Sequence, residues 1–456
     1  MKQKSGREQA VWAADNIKPK ISGVWDVAGS LFLITAPPIS VHLLAYTLLK
    51  LDGSWNNLAK VVSDVGIVQT FSQAVPSSQE VWQAVPFVLC FAAFQLLCMW
   101  VVPGKYVDGP VAPSGHVPKY KANGVQCFLL TILVWAIGSY QGLIPAGWQY
   151  DHANAMFAFL NVSSIFLCML LYLKGRFLPS TADSGHSGNL IFDFFWGTEL
   201  YPRFGHWLWP IGWDVKLFTN CRFGMMYWGL STLSYAAKQY ELYGFISDSM
   251  LVSSLVQVVY VLKFFSWEMG YMNTMDIQHD RAGFYICWGC LVWVPSLYTC
   301  HTLFLVNNPY MMGRAVTAFL LLFGLLGVWI NYESDAQKMR FRRSGGKCMI
   351  WGRPAKKIVA TYTTKDGESK QSLLLLSGWW GVSRHFHYIP ELMAAFSWTA
   401  PTLWKGNWAG FTYWLFLAWL LTDRSVRDDA RCKSKYGESW TKYCELVPYK
   451  IIPYIF

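Results

Sequence analysis

Phe284–Val306 reads FYICWGCLVWVPSLYTCHTLFLV, an apolar run without one Asp, Glu, Lys or Arg. An α-helix needs about 20 such residues to cross a bilayer, where only helices and closed barrels satisfy every backbone N–H and C=O. Working outward, comparable runs lie near residues 247–266, 222–238, 155–173, 125–145, 85–103 and 29–50 on one side. On the other side they lie near 314–332, 388–403 and 408–422, the last two short enough for a tight hairpin. The sequence therefore predicts an all-α fold, a polytopic transmembrane helical bundle of about ten spans. Composition agrees. Only 14% of the 456 residues are charged and the mean hydropathy is +0.25, whereas a soluble chain carries about a quarter charged residues. The first run holds Pro37-Pro38 and is read as a kinked span rather than a removed signal peptide, since no short apolar core with a cleavage site precedes it.

Loop charge orients the bundle. Basic residues gather at the N-terminus (Lys2, Lys4, Arg7, Lys18, Lys20), after the second run (Lys105, Lys119, Lys121) and after the fourth (Lys174, Arg176, Arg203, Lys216). The densest block follows the eighth: Lys338, Arg340, Arg342, Arg343, Lys347, Arg353, Lys356 and Lys357, with no intervening acid. With ten spans every basic segment falls on one side, which the positive-inside rule makes the cytosol, together with both termini. The eleven cysteines are scattered, several inside apolar runs, unlike a secreted disulfide scaffold. Cys287-Trp-Gly-Cys290 has redox spacing but lies in an apolar run, so it reads as helix packing. Metal: none is expected, because no ligand cluster stands out. The sequon Asn161-Val162-Ser163 sits inside the fourth run and is expected to stay unglycosylated. Residues 357–373 alternate β-branched and polar side chains around Asp366-Gly367, which fits either a small cytosolic hairpin or a plain connection.

The constellation with the most chemistry lies near the C-terminus. Lys338 and Arg342 share one helix face at i, i+4, as do Arg424 and Asp428. Between them runs LLLSGWWGVSRHFHY, residues 374–388. Its glycines permit close backbone approach, its tryptophans offer stacking faces and Arg384 offers a phosphate fork. These are parts for an anionic, aromatic cofactor such as a dinucleotide, and no Gly-x-Gly-x-x-Gly after a strand supplies a Rossmann alternative. Each part also has a plainer reading. A basic juxtamembrane block attracts anionic membrane lipid, and Gly-Trp-Trp-Gly can be a turn.

Ser-Gly-Trp-Trp-Gly-x-x-Arg-His-x-x-Tyr at 377–388, followed by Arg-Asp-x-x-Arg-Cys-x-x-Lys-Tyr-Gly-x-x-Trp-x-x-Tyr at 427–443, resembles the paired signature of the sterol reductase family. That family includes Δ7-, Δ14- and Δ24(28)-sterol reductases and the membrane part of the lamin B receptor. Gly197–Arg203, Asp214-Val215-Lys216 and Thr274–Asp280 resemble it as well, so the likeness spans roughly residues 30–456. Arg384-His385-Phe386 and Cys221-Arg222-Phe223-Gly224 resemble the Δ7 branch, while His387-Tyr388-Ile389-Pro390-Glu391 is similar to its plant-type form. The resemblance implies NADPH contacts at Lys338, Arg342, Leu375, Trp380, His387, Tyr388, Arg424, Asp428, Cys432, Lys433, Ser434, Lys435, Tyr436 and Tyr443. Within that set Lys338, Arg342 and Lys435 are expected to meet phosphates, including the 2′-phosphate, and Asp428 the nicotinamide amide. Trp380 and Tyr436 are expected to pack on ring faces, with interfacial anchoring the plainer role for the tyrosines.

Three parts are expected: a cytosolic segment 1–28, spans one to eight with the sterol pocket over 29–332, and an NADPH site over 333–456. The implied reaction reduces a ring olefin, which needs a proton donor beside a hydride donor in a dry pocket. Tyr260, within the sixth run, is the candidate donor or relay with Asp428 assisting, against plain packing for that tyrosine. Glu268, Asp276 and His279 are substrate-pocket candidates that either polarise the relay or hold the loop. A sterol arriving from the bilayer, membrane lipid contact, an endoplasmic-reticulum address and association with other sterol-biosynthesis enzymes follow as expectations; no nucleic-acid partner does. Three rival readings remain: Δ14 reduction on the same scaffold, a non-catalytic sterol-binding module, and a prenylcysteine carboxyl methyltransferase with a similar Lys-Tyr-Gly tail.

Overall fold

A computed structural model of the protein describes residues 21, 23–112, 114–363 and 369–456. The chain forms two compact units: a larger one up to Ala318 that includes Trp398–Tyr413, and a smaller one of Phe319–Ser397 and Trp414–Phe456. The main helices are α1 (Val24–Lys50), α2 (Ser78–Val101), α3 (Gly124–Tyr140), α4 (Ala153–Phe177), α5 (Met225–Tyr243) and α6 (Asp248–Ser266). After the segment Phe284–Asn307 come α7 (Arg314–Arg343), α8 (Tyr388–Thr399), α9 (Thr412–Tyr436) and α10 (Glu438–Leu446). Six of these stretches are long and apolar enough to cross a membrane: α1, α2, α4, α6, Phe284–Asn307 and α7; α3 is a shorter apolar helix. The protein is a mostly helical, polytopic membrane protein.

Helix α1 continues through Pro37-Pro38. Asn161 Nδ2 donates to the Pro38 carbonyl at 3.1 Å, while Trp288 Nε1 donates to Asn161 Oδ1 at 2.7 Å. The sequon asparagine is thus buried and engaged by two neighbouring segments. Helix α5 is buried on nearly every side, as expected of a helix packed within a bundle, and lies against α6 and the helix Cys300–Asn307. Cys287 and Cys290 are buried and not disulfide-bonded, and Asn220 Nδ2 lies 3.1 Å from Cys290 Sγ. Packing is their role.

Helix ends depart from the apolar runs. Helix α2 starts seven residues before residue 85 because Ser77 and Glu80 form a capping box, which adds a polar first turn. Two short helices, Trp55–Val65 and Ile67–Ala74, lie between the first two apolar runs, and they turn at Gly66 with φ +83°. Helices α7 and α9 run past their apolar ends, supported by Arg340–Glu333 at 2.6 Å, Arg427–Asp423 at 2.8 Å and Arg431–Asp428 at 2.5 Å. Strands Lys357–Thr363 and Ser369–Leu375 pair antiparallel, so the hairpin reading prevails over the plain loop. Asp366-Gly367 lies outside the described residues.

Candidate functional site

The sequence-derived nucleotide contacts all lie in the smaller unit. Helix α7 carries Lys338 and Arg342 on one face, and α9 carries Arg424, Asp428 and Cys432 at four-residue steps. The 357–375 hairpin wedges in at its base. Leu373 and Leu375 pack with Phe341, Ile350 and Trp380, while Ile358 and Leu374, on the other face, pack with Cys432, Trp440, Tyr443 and Val447. Alternation along a strand puts consecutive residues on opposite faces, so one short hairpin grips the end of α7 and the C-terminal helices together.

The Lys338 ammonium lies 3.8 Å from the Trp380 ring centroid. Trp380 Nε1 donates to the Ser334 carbonyl at 2.8 Å and Tyr443 Oη donates to the Trp380 carbonyl at 3.2 Å. His387 adjoins both Trp380 and Tyr388, at 5.0 and 4.3 Å between ring centroids. Asp428 Oδ1 accepts from Arg431 Nε at 3.0 Å and Nη2 at 2.5 Å, and Oδ2 lies 3.9 Å from His385 Nε2. Burial works against the Asp428 charge, but Arg431, His385 and Lys338 outweigh it and hold its pKa below the usual carboxylate value. Burial pushes His385 down to about 4, so its imidazole is neutral near pH 7. Burial and the cations Arg431 and Arg342 bring Lys435 down to about 8. Burial raises the Cys432 thiol to about 12.

These geometries revise several roles. Arg384 is not a phosphate fork: its guanidinium is buried, with Nη1 on the Val447 and Pro448 carbonyls at 2.7 and 2.9 Å and Nε 3.3 Å from Asp429. It straps the C-terminal tail, whose Tyr449 and Lys450 carbonyls also accept from the backbone N–H groups of 384 and 385. Trp380 is 3% exposed and Lys338 covers its face, so a stacking role requires Lys338 to move. Asp428, ionised and held by Arg431, suits accepting a hydrogen bond better than delivering a proton. Lys433, Ser434 and Arg342 are exposed.

Tyr260, Glu268, Asp276 and His279 belong to the larger unit. Tyr260 meets Trp228 and Trp398 at 5.5 and 5.3 Å between centroids, in an aromatic group with Tyr298 and Tyr413. Trp228 Nε1 donates to Gln257 Oε1 at 2.7 Å, and Gln257 Nε2 to Thr302 Oγ1 at 2.7 Å. Glu268 is a staple: Oε1 lies 2.5 Å from Arg222 Nη1, and Oε2 accepts from the Gly124 N–H that opens α3 at 2.9 Å. Arg222 Nη2 donates to Asn123, whose amide caps the carbonyls of residues 98, 99 and 102 at the end of α2. Lys216 Nζ donates to the carbonyls of Asp276, Ile277 and Asp280 at 3.0, 2.7 and 2.8 Å, and His279 Nδ1 pairs with Asp280 at 3.1 Å. Arg281 Nη1 donates to the Thr198 carbonyl at 2.6 Å. The Gly197–Arg203, Asp214–Lys216 and Thr274–Asp280 motifs thus form one buried polar cap.

The Ergosterol biosynthesis ERG4/ERG24 family matches residues 46–456. The chain belongs to the ERG4/ERG24 sterol reductase family. Among its relatives, a 7-dehydrocholesterol reductase of Arabidopsis thaliana is 48% identical over 94% of this chain and 97% of its own length. A 7-dehydrocholesterol reductase of Xenopus laevis is 35% identical over 82% of this chain and 81% of its own. A Delta(14)-sterol reductase of Methylotuvimicrobium alcaliphilum is 36% identical over 79% and 80%.

Several further residues of this sterol reductase border the candidate site and lie outside the contacts expected from the sequence. Gln337 is buried beside Lys338, and its Oε1 accepts from Trp379 N–H at 3.2 Å, setting the 378–379 turn. Arg431 and His385 flank Asp428; both stand in the quoted motifs, but only their proximity shows the pairing. Tyr362 and Ser372 carried no signal beyond strand alternation.

Proposed function

We propose that this sterol reductase uses NADPH to reduce the Δ7 ring double bond of a 5,7-diene sterol, in sterol biosynthesis. The carrying observation is the 48% identity across 94% of the chain to a protein named 7-dehydrocholesterol reductase. Inside the smaller unit, Lys338, Arg342, Arg431 and Lys435 lie close enough to influence one another electrostatically, with Asp428 and Asp335 as the carboxylates acting on Lys338. Like charges so crowded favour a polyanion, which is the fit expected of a dinucleotide bearing an added phosphate. Bound there, NADPH supplies a hydride. Arg342 and Lys435 neutralise phosphate charge, Lys338 does so on leaving the Trp380 face, and Asp428 accepts from the nicotinamide amide. Leu375, Tyr436 and Tyr443 shape the wall, with Arg424, His387, Tyr388, Cys432, Lys433 and Ser434 along it. Tyr260 holds the proton at its phenolic oxygen in an aromatic, water-poor setting.

In this reading the ten predicted spans all cross the endoplasmic-reticulum membrane with both termini cytosolic, and the sterol enters from lipid. Residues 1–28, 29–332 and 333–456 act as the leading segment, the sterol-holding part and the nucleotide-holding part. The Methylotuvimicrobium relative supports Δ14 reduction as the second reading. Purified protein given NADPH with a 5,7-diene and, separately, with an 8,14-diene should consume the first and not the second, as read by product chromatography. Turnover of the 8,14-diene alone replaces the Δ7 reading with the Δ14 one.

A further inference from the structure

Apart from Leu375, the 357–375 hairpin contributes no residue to the sequence-derived site, yet one of its faces reaches the candidate phosphate ligands. Tyr362 pairs with Lys370 and Ala360 with Ser372, so Ile358, Ala360, Tyr362, Ser372 and Leu374 share a face by the two-residue period. The base of that face is anchored by Ile358 and Leu374 against the C-terminal helices. Farther along, Tyr436 Oη donates to Ser372 Oγ at 3.3 Å, and the Tyr362 ring meets the Tyr436 ring edge-on at 5.9 Å. The Lys435 ammonium is held over both rings, 4.3 Å from the Tyr362 centroid and 5.3 Å from that of Tyr436. A lysine on the last turn of a helix normally samples many rotamers, and ordering it on binding weakens whatever it binds. Here two aromatic faces restrict it beforehand, through attraction of the cation to their quadrupoles.

Resting on the nucleotide reading above, we propose that Tyr362 is a specificity-determining positioning residue. Its ring, with Tyr436 braced by Ser372, presets the Lys435 ammonium for the phosphate that distinguishes NADPH from NADH. The hairpin is therefore part of the selection device. Lys435 also lies within electrostatic reach of Arg342 and of Arg431, the latter held on Asp428, so a phosphate at the preset ammonium feels the field of two further cations. A phosphate brought there meets charge already in place.

Equilibrium binding of NADP+ and of NAD+ to the full-length protein in lipid nanodiscs, by calorimetry, tests this with wild type, Tyr362→Ala and Tyr362→Phe. Wild type should prefer NADP+. Tyr362→Ala should weaken NADP+ roughly tenfold while NAD+ moves far less, and Tyr362→Phe, which keeps the ring face, should match wild type. Equal weakening of both nucleotides by Tyr362→Ala, no change in either, or loss of the preference in Tyr362→Phe overturns the role of the ring. Should Tyr362→Ala not fold, Tyr362→Leu fills the space without a π face and carries the same expectations. A folded wild type that binds neither nucleotide overturns the underlying site reading instead, so the two failures are told apart.

Discussion

Two regions of this protein bury charge, and they do it differently. In and beside the polar cap of the larger unit three buried cations are answered from within the chain. Lys216 rests on three carbonyls, Arg222 on Glu268 and Asn123, and Arg281 on the Thr198 carbonyl. In the smaller unit Asp428 answers Arg431, but Arg342 acts as a like charge on both Lys338 and Lys435, and Arg342 is exposed. A completed network holds elements together; a cluster with surplus positive charge is organised for an anion that arrives from outside. The motifs looked alike in sequence. Charge closure separates them.

Removing one side of the completed network should have the largest effect. Arg222→Ala leaves the buried Glu268 carboxylate without its cation and with only the Gly124 N–H, a loss on the order of 3–5 kcal/mol, to be read as a large fall in Tm or loss of monodisperse protein in detergent. An Arg222→Ala protein that melts like wild type breaks the assignment of the cap as structure. Arg342→Ala should do the reverse, weakening NADP+ binding by roughly tenfold or more through loss of a charge-assisted contact while Tm stays put. A matching drop in Tm would place Arg342 with the cap.

The smallest expected effect is a pH dependence. Lys435, brought down to about 8, is mainly protonated below that pH and loses its charge above it. The ratio of NADP+ to NAD+ affinity should then fall as pH rises from 7 to 9, by no more than the contribution of one ammonium. Bound phosphate favours the charged amine and shifts the fall to higher pH. A ratio flat across that range, or rising, removes Lys435 from the 2′-phosphate site.

Much of this was legible without coordinates, and the failures have physical causes. Apolar runs located the helices because the bilayer imposes length and composition together, but they mislocated ends such as Ser78 and Tyr436. Beyond the bilayer, helices continue on caps and ion pairs such as Arg427–Asp423 and Arg431–Asp428 that hydropathy does not register. Candidate site residues stand out as motifs, whereas what each side chain touches does not. Arg384 has the chemistry of a phosphate fork, yet the carbonyls of Val447 and Pro448 occupy it. Glu268 has the chemistry of a polariser, yet it is joined to Arg222 and to the start of α3.

By itself the sequence determined that this is a helical membrane protein of the sterol reductase type, because bilayer solvation and a long paired signature both act through residue type and spacing. Only the tertiary structure decided which charges answer each other. Glu268 and Arg222 are 46 positions apart in the sequence and Tyr362 and Lys435 farther still, and a side chain's role depends on what occupies the few ångströms around it.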